Sequence, residues 1–229
     1  MSGTAEPTAN SRCRFLTRAF AGPAIMYSII HMPSPRERMV ISAVLLIRER
    51  GARATAISDV LQHSGAPRGS AYHYFPGGRT QLLCEAVDYA GAHVAKIIGS
   101  ANRSLDLLDT LIDQYREQLR ATDFRAGCPV AAVSVEAGEP SDRERMAPVV
   151  EHAAAVFDRW SDLIAQRFVS DGIPLDSAHE LAVTAMSTLE GALLLARVRR
   201  DLTPLDVVHR QLRSMLLAQL PEGNRNDHN

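Results

Sequence analysis

AISDVLQHSGAPRGSAYHYFPGGR, residues Ala56–Arg79, is the stretch that decides the fold of the N-terminal part of the chain. Its first apolar residues recur at helical spacing, and Gly65 then supplies a turn. A second, short helix follows, and Pro76-Gly77-Gly78 ends it. Because so short a helix needs tertiary packing to persist in water, the stretch predicts a helix-turn-helix.

The second helix carries side chains suited to DNA. We expect Pro67 to open it and Ala71 and Phe75 to face inward. The residues expected to face outward are polar or aromatic: Arg68, Ser70, Tyr72 and His73. Such groups reach phosphates and base edges. Gly69 lacks a Cβ, which permits close approach of a DNA backbone.

The helices before this motif have recognisable ends. Ser34 can cap a first helix and Pro35 suits its first position, while Gly51 ends it. Thr55 is expected to cap the next helix, with an incomplete capping box because Ser58 lies where Glu or Gln would be expected.

Charge is distributed unevenly along the chain. Residues 35–80 hold seven arginines and three acidic residues, a net charge of +4, whereas residues 81–229 carry a net charge of −7. A basic module on an acidic body favours contact with nucleic acid, although the net charge of the whole chain is −1.

The remainder of the chain predicts an all-α fold. We expect helices from about residue 82 to 100, 105 to 121, 141 to 170, 175 to 200 and 203 to 220, with a short apolar stretch at 130–135. The expected organisation is a DNA-binding domain at 34–80, whose following helix continues to about 100, and an effector-binding and dimerisation domain at 81–220. We expect residues 1–33 to be a disordered or over-called extension and 221–229 a disordered tail.

Several classes of protein are disfavoured by the sequence. Cys13, Cys84 and Cys128 lie far apart, so neither a disulfide framework nor a zinc site is expected, and free thiols fit the cytoplasm. The sequence contains no HExxH or GxSxG, so we expect no metal, no cofactor and no enzymatic activity. No apolar run approaches the ~20 residues of a membrane span.

The C-terminal half contains candidates for a ligand pocket. Trp160 and Phe157 lie at helical spacing, and they are either ordinary core or the aromatic wall of a pocket. Cys128 and Met186 are further candidates. Glu190 interrupts an apolar run, so its carboxylate either pairs with a ligand or an arginine, or lies exposed at a helix edge.

The last two helices carry more apolar surface than one helical face needs. The candidates for a dimer interface are Leu181, Ala185, Leu189, Leu193, Val208 and Leu212. An intramolecular core is the other explanation for these residues.

The motif from Thr55 to Pro76, with SGAPRGS followed by YHYFP, resembles the TetR family of transcriptional regulators. The form APRGS…YHYFPGG resembles its LmrA/YxaF-like branch, as do GCPVAAVSVEAGEPSDRER and LEGALLLARVRRDLTPL. The chain departs from the family at Pro67, where Ser or Thr is typical, and at Ala71, where Leu is usual. Arg79 is the nearest cation to the usual Lys after the recognition helix.

The resemblance implies a homodimeric repressor that a small apolar or aromatic ligand releases from double-stranded operator DNA. It implies DNA contacts from Thr55, Arg68, Gly69, Ser70, Tyr72, His73 and Arg79. The alternative is an effector-independent or architectural DNA-binding protein, and an enzyme ranks third.

Overall fold

The computed structural model describes residues 33–136 and 143–222, and every regular element within these ranges is an α-helix. The predicted all-α class is therefore confirmed. The helices are α1 (Pro35–Arg50), α2 (Ile57–Ser64), α3 (Ser70–Tyr74), α4 (Gly78–Ser100), α5 (Ser104–Ala121), α6 (Pro129–Val135), α7 (Arg143–Ser170), α8 (Leu175–Arg199) and α9 (Thr203–Gln219). The expected extension, up to residue 32, and the expected tail, from residue 223, lie outside the described residues.

Helix α1 begins and ends where the sequence predicts. The Ser34 hydroxyl accepts a hydrogen bond from the Glu37 N–H at 3.2 Å, and the Glu37 carboxylate accepts one from the Ser34 N–H at 2.7 Å. Pro35 occupies the first turn, where its missing N–H is not needed. Gly51 ends the helix with φ of +90°, a conformation that glycine adopts without steric cost.

The start of α2 corrects one expectation. Its N-cap is Ala56 rather than Thr55, and the Asp59 carboxylate accepts a hydrogen bond from the Ala56 N–H at 3.2 Å. The Thr55 side chain is buried, and its hydroxyl donates to the Gly51 carbonyl at 2.8 Å. Thr55 therefore stabilises the turn between α1 and α2, and the acidic residue of the capping arrangement lies one position later than expected.

Helix α4 joins the N-terminal helices to the C-terminal bundle. Arg36 of α1 forms an ion pair at 2.6 Å with Glu85, in the first half of α4. The later part of α4 packs on α7. There the Trp160 indole N–H donates to the Gly91 carbonyl at 2.9 Å. α7 packs on α8, α8 on α9 and α9 on α5, while α6 lies against α1 and α7. The resulting core is continuous from Met39 to Leu220.

Helix α8 corrects the expectation that no segment approaches the length and apolar character of a membrane span. It is long and apolar enough, by length and composition, to cross a membrane, and 28% of its most apolar window is buried. The helix packs on both α7 and α9 and also carries exposed apolar side chains, so apolar residues occur on most of its faces. A core helix of a globular protein passes the same test, so this finding is weak evidence for a membrane span.

Candidate DNA interface and ligand cavity

The turn of the helix-turn-helix is built by Gly65 and by the residues before α3. Gly65 adopts a left-handed conformation with φ of +66° at the end of α2. Pro67 does not open α3, as we expected, because residues 67–69 form a turn and the Ser70 N–H donates to the Pro67 carbonyl at 2.9 Å. The helix therefore spans only Ser70–Tyr74, and buried Ala71 and Phe75 fasten it to the core.

The outer side of α3 presents an exposed surface, which we term the recognition face: Arg68, Gly69, Tyr72 and His73. Tyr72 is 76% exposed although it is large and aromatic. A Cβ added at Gly69 would meet no protein atom within 4 Å, so neither packing nor backbone conformation requires glycine there. Ser70 is half-buried, and its hydroxyl donates to the Pro67 carbonyl at 2.6 Å.

The structure places the other two candidates for DNA contact away from this face. Thr55 is 1% exposed, which corrects its interpretation as a phosphate ligand because its hydroxyl has no access to solvent. Arg79 donates to the carbonyls of Ala52 at 2.6 Å and of Thr55 at 2.9 Å, so it fixes the turn between α1 and α2. Contact between Arg79 and DNA remains a prediction.

Most of the positive charge of the module is used inside the protein. Six of the seven arginines in residues 35–80 take part in interactions within the chain: Arg36, Arg38, Arg48, Arg50, Arg53 and Arg79. Arg50, for example, pairs with Asp59 at 2.6 Å. Among the described residues, Arg68 has neither a hydrogen bond nor an ion pair within the protein. Its guanidinium is therefore available to a phosphate or a base edge.

A narrow apolar cavity of about 50 Å³ lies among α4, α5, α7, α8 and α9. Three of the five predicted pocket residues line it: Trp160, Met186 and Glu190. Phe157 lies behind Trp160, with its ring edge-on at 5.5 Å between centroids. Cys128 is buried beside Glu190 and lines a neighbouring cavity. Tyr115, which was not predicted from the sequence, reaches the cavity from α5.

Three polar side chains meet at one end of this apolar cavity. The Glu190 carboxylate and the Tyr115 hydroxyl both lie near the Cys128 thiol. Burial raises the pKa of Glu190 from its ordinary value of 4.5 to about 7, and the neighbouring Cys128 thiol opposes part of that rise. Burial also raises the pKa values of Tyr115 and Cys128 well above their ordinary values. A buried acid without a compensating cation is costly in its charged form.

A second cavity, of about 270 Å³, lies where α1, α6 and α8 meet, and we term it the junction cavity. Glu190 and Cys128 line it as well, so Glu190 faces both cavities. Arg197 lies two helical turns after Glu190 and donates to the carbonyls of Glu49 at 3.3 Å and of Arg125 at 2.7 Å. The same helix therefore contacts the ligand cavity and the end of α1.

Two further bonds tie the C-terminal helices to the DNA-binding helices. The Gly127 N–H donates to the Arg48 carbonyl at 2.8 Å. Glu136, directly after α6, accepts a hydrogen bond from the Arg53 N–H at 2.9 Å. A shift of α6 or α8 would thus move the end of α1 and the turn before α2.

The predicted dimer residues lie mainly inside the chain. Leu181, Leu193 and Leu212 are buried in the chain's own core, and Ala185 and Leu189 line the cavity, as Leu181 and Leu212 also do. Val208 is partly buried. The expectation is therefore corrected for Leu181, Leu193 and Leu212, because their side chains are used in the chain's own core. Participation of Ala185, Leu189 and Val208 in a dimer interface remains a prediction.

The outer face of α8 carries a different set of apolar side chains. We term these residues the α8 stripe: Val183, Leu194, Leu195 and Val198, of which Leu194 also lines the edge of the junction cavity. Their exposed fractions are 53%, 50%, 50% and 85%. Val207 and Met215 of α9 are exposed as well, at 41% and 39%. Contiguous exposed apolar surface on a globular protein marks an interaction site.

Comparison with known proteins agrees with this geometry. A family model described as "Transcriptional regulator LmrA/YxaF-like, C-terminal domain" matches residues 104–211. An uncharacterized HTH-type transcriptional regulator of Mycobacterium tuberculosis is 79% identical over 194 residues, which cover 85% of this chain and 100% of that protein. The uncharacterized HTH-type transcriptional regulator YxaF of Bacillus subtilis is 30% identical over 181 residues, which cover 77% of this chain and 92% of YxaF.

Solved structures share the arrangement of helices. The crystal structure of a TetR transcriptional regulator from Legionella pneumophila matches with a TM-score of 0.69 at 19% identity, covering 80% of this chain and 98% of that one. At this level of identity the likeness bears on the fold alone. The fold includes the N-terminal helix-turn-helix and the helical C-terminal part.

Proposed function

Because the chain belongs to the TetR family of transcriptional regulators, in its LmrA/YxaF-like branch, we propose that it is a homodimeric repressor that a small apolar ligand releases from operator DNA. The chain is a DNA-binding regulator, and its family consists of regulators rather than enzymes. The single observation that carries the proposal is the recognition face, which is exposed on one side of a helix-turn-helix. The helices behind it contact the junction cavity, which adjoins the apolar cavity at Glu190. Since its target is DNA, we place it in the cytoplasm.

In the complex with DNA, α3 enters the major groove. Arg68 binds a base edge or a phosphate there, and the Tyr72 hydroxyl donates to a phosphate. The absence of a side chain at Gly69 lets the backbone approach closely. Two copies related by a two-fold axis would read successive major grooves of a near-palindromic operator, with half-sites about 34–36 Å apart or a multiple of that distance.

The α8 stripe and the exposed residues of α9 support the dimer. Paired across a two-fold axis, α8 and α9 of each protomer form a four-helix interface that removes these apolar side chains from water. Gly191 faces the same side, and a Cβ there would meet nothing within 4 Å, so a partner helix can approach closely. The distance between the two recognition faces of the dimer then depends on the position of α1 relative to α8.

Release of the operator by a ligand follows from the position of α8, which lines the apolar cavity and also contacts the end of α1. A ligand in the apolar cavity pushes on Met186 and Glu190, and the shift reaches the end of α1 through Arg197. The ligand lowers operator affinity only if it binds the shifted arrangement more tightly than the DNA-binding one. A tightly bound compound with equal affinity for both arrangements would change nothing.

The proposal is tested by gel-shift titration with genomic fragments, followed by a screen of small apolar compounds. Trp160 lines the cavity, so quenching of its fluorescence reports binding. A compound that releases the operator must bind more weakly when operator DNA is present, by the same factor by which it weakens DNA binding. Equal compound affinities with and without operator would reject that compound as an inducer. Specific DNA binding that no cavity-binding compound alters would favour the alternative, an effector-independent DNA-binding protein.

A further inference from the structure

The apolar cavity has one acidic group and no cation to match it. Apart from Glu190, the side chains that line the cavity are hydrocarbon, aromatic or uncharged. Within the described residues, no arginine, lysine or histidine forms an ion pair with Glu190, and the neighbouring Cys128 thiol is uncharged. An ionised carboxylate in such surroundings lacks the pairing that buried charges need.

The groups around Glu190 do not supply the missing charge. Cys128, at the start of α6, and Tyr115, on α5, both have raised pKa values and are uncharged near neutral pH. Burial lowers the pKa of Arg48, on α1, to about 10, so this residue stays cationic, and it donates to the Gln118 side chain at 3.3 Å. Arg197, on α8 itself, is bound to backbone carbonyls. Arg50 also lines the junction cavity, but it pairs with Asp59 at 2.6 Å. Glu49 and Glu136 line it as well and add no positive charge.

We propose that the ligand of this cavity is a lipophilic amine, with its apolar body among the aliphatic and aromatic side chains and its ammonium paired with the Glu190 carboxylate. This assignment rests on the proposed function, because it specifies the chemical class of the ligand in the same cavity. An anionic ligand would meet a like charge at this end of the cavity. Beside a neutral ligand Glu190 would avoid a buried charge only by binding a proton, whereas an ammonium donates hydrogen bonds and balances the charge of the ionised carboxylate.

The position of Glu190 makes such an amine effective as a signal. The residue faces both the apolar cavity and the junction cavity, and it lies on the helix that contacts Glu49 through Arg197. An ammonium that draws the carboxylate toward the apolar cavity moves it away from Cys128, the N-cap of α6. The ligand head group and the domain junction therefore share one side chain.

The test compares 4-phenylbutylamine with 4-phenylbutan-1-ol, which have the same apolar body and differ in charge, by calorimetric titration of the full chain. We expect the amine to bind the wild type at least about tenfold more tightly than the alcohol, equivalent to about 1.4 kcal/mol. Glu190→Gln should abolish that preference, so that the amine and the alcohol bind this variant with similar affinity. Glu180→Gln, at an exposed acid on the same helix, is the matched control and should retain the preference.

A second readout uses the wild type alone. Since the carboxylate pairs with the amine only when ionised, amine affinity should rise up to about tenfold between about pH 6 and pH 8, and alcohol affinity should stay constant. The proposal is overturned if the alcohol binds as tightly as the amine, if the preference survives in Glu190→Gln, or if the amine fails to bind at millimolar concentration.

A gel shift distinguishes failure of the amine assignment from failure of the proposed function. If the amine shows the Glu190-dependent preference and yet leaves operator binding unchanged in a gel shift, the amine site stands and ligand release by this class fails. If another compound releases the operator while the amine shows no preference, ligand release stands and the amine assignment fails.

Discussion

At the scale of single residues, function depends on the side chains whose polar groups the protein itself does not use. Arg68 is such a residue, since the other arginines of the module bind carbonyls, carboxylates or other groups of the chain. The net charge of +4 in residues 35–80 attracts DNA as a whole, but most of its arginines are already bonded within the chain and are not free to contact a base edge. The basic module could be found by counting charges in the sequence. Which of its arginines is free to contact DNA could be seen only in the structure.

Arg68→Ala should weaken specific DNA binding by about 1–3 kcal/mol, roughly 5- to 150-fold, if its guanidinium binds a base edge. The fold should be unaffected, because Arg68 has no partner within the described protein. Gel-shift titration measures the change, and binding should also fall steeply with salt. Arg120→Ala removes an exposed arginine from α5 and serves as the control. Equal affinities for Arg68→Ala and the wild type would exclude Arg68 from the interface.

Glu190 should make stability depend on pH. Its pKa is about 7 in the folded chain against 4.5 ordinarily, so between these values the folded state binds more protons than the unfolded state. The free energy of unfolding therefore falls as the pH rises through this window, by about 3 kcal/mol in all for this group.

Urea denaturation at about pH 5 and about pH 8 checks this expectation. The wild type should lose more stability over this interval than Glu190→Gln, which cannot ionise at that position. The same loss in both proteins would show that Glu190 does not titrate as its burial implies.

At the scale of elements, α3 shows how little helix a recognition face needs. Five residues cannot form a stable helix alone, so α3 exists because Ala71 and Phe75 are buried against the core. The sequence predicted its position correctly from Gly65 and from the stop at residues 76–78. It misplaced the start, because Pro67 suits a helix opening and a preceding turn equally well. Thr55 was misassigned for a similar reason: Thr caps helices, but here Asp59 holds the start of α2.

The contact between α4 and α7 offers a test of packing. A Cβ added at Gly91 would lie 2.5 Å from the Val156 Cγ2, so Gly91→Ala forces the two helices apart and should destabilise the protein by about 1–3 kcal/mol. Gly99→Ala, on the same helix, adds a Cβ that meets nothing within 4 Å and should stabilise by about 0.5–1 kcal/mol. Thermal or urea unfolding measures both changes. A Gly91→Ala protein as stable as Gly99→Ala would contradict this packing.

At the scale of the whole molecule, α8 connects three features of the structure, since it lines the cavity, contacts the end of α1 and exposes an apolar stripe. Its sequence could not separate these faces, because apolar residues follow one another around most of the helix. Leu193 and Leu195 look equivalent in sequence, yet the first is 1% exposed and the second 50%. Tyr115 was missed because it lies between Gln114 and Arg116, on a helix whose polar side is prominent.

Leu195→Glu should convert the proposed dimer to monomers, because pairing the α8 stripe would bury a charge without a partner. Multi-angle light scattering at micromolar concentration measures the mass. Val169→Glu introduces the same charge at a 39% exposed site on α7 and should leave the dimer intact. A monomeric wild type, or a dimeric Leu195→Glu protein, would refute this interface.

The most direct test of sequence-specific regulation is footprinting on the DNA upstream of the protein's own gene, at low salt, with the wild type and Arg68→Ala. Two protected, near-palindromic half-sites whose centres lie about 10 base pairs or a multiple apart are the predicted result, with protection weakened by the substitution. An absence of protection at every concentration, or protection that spreads along the DNA without sequence preference and is unchanged by Arg68→Ala, would contradict the account.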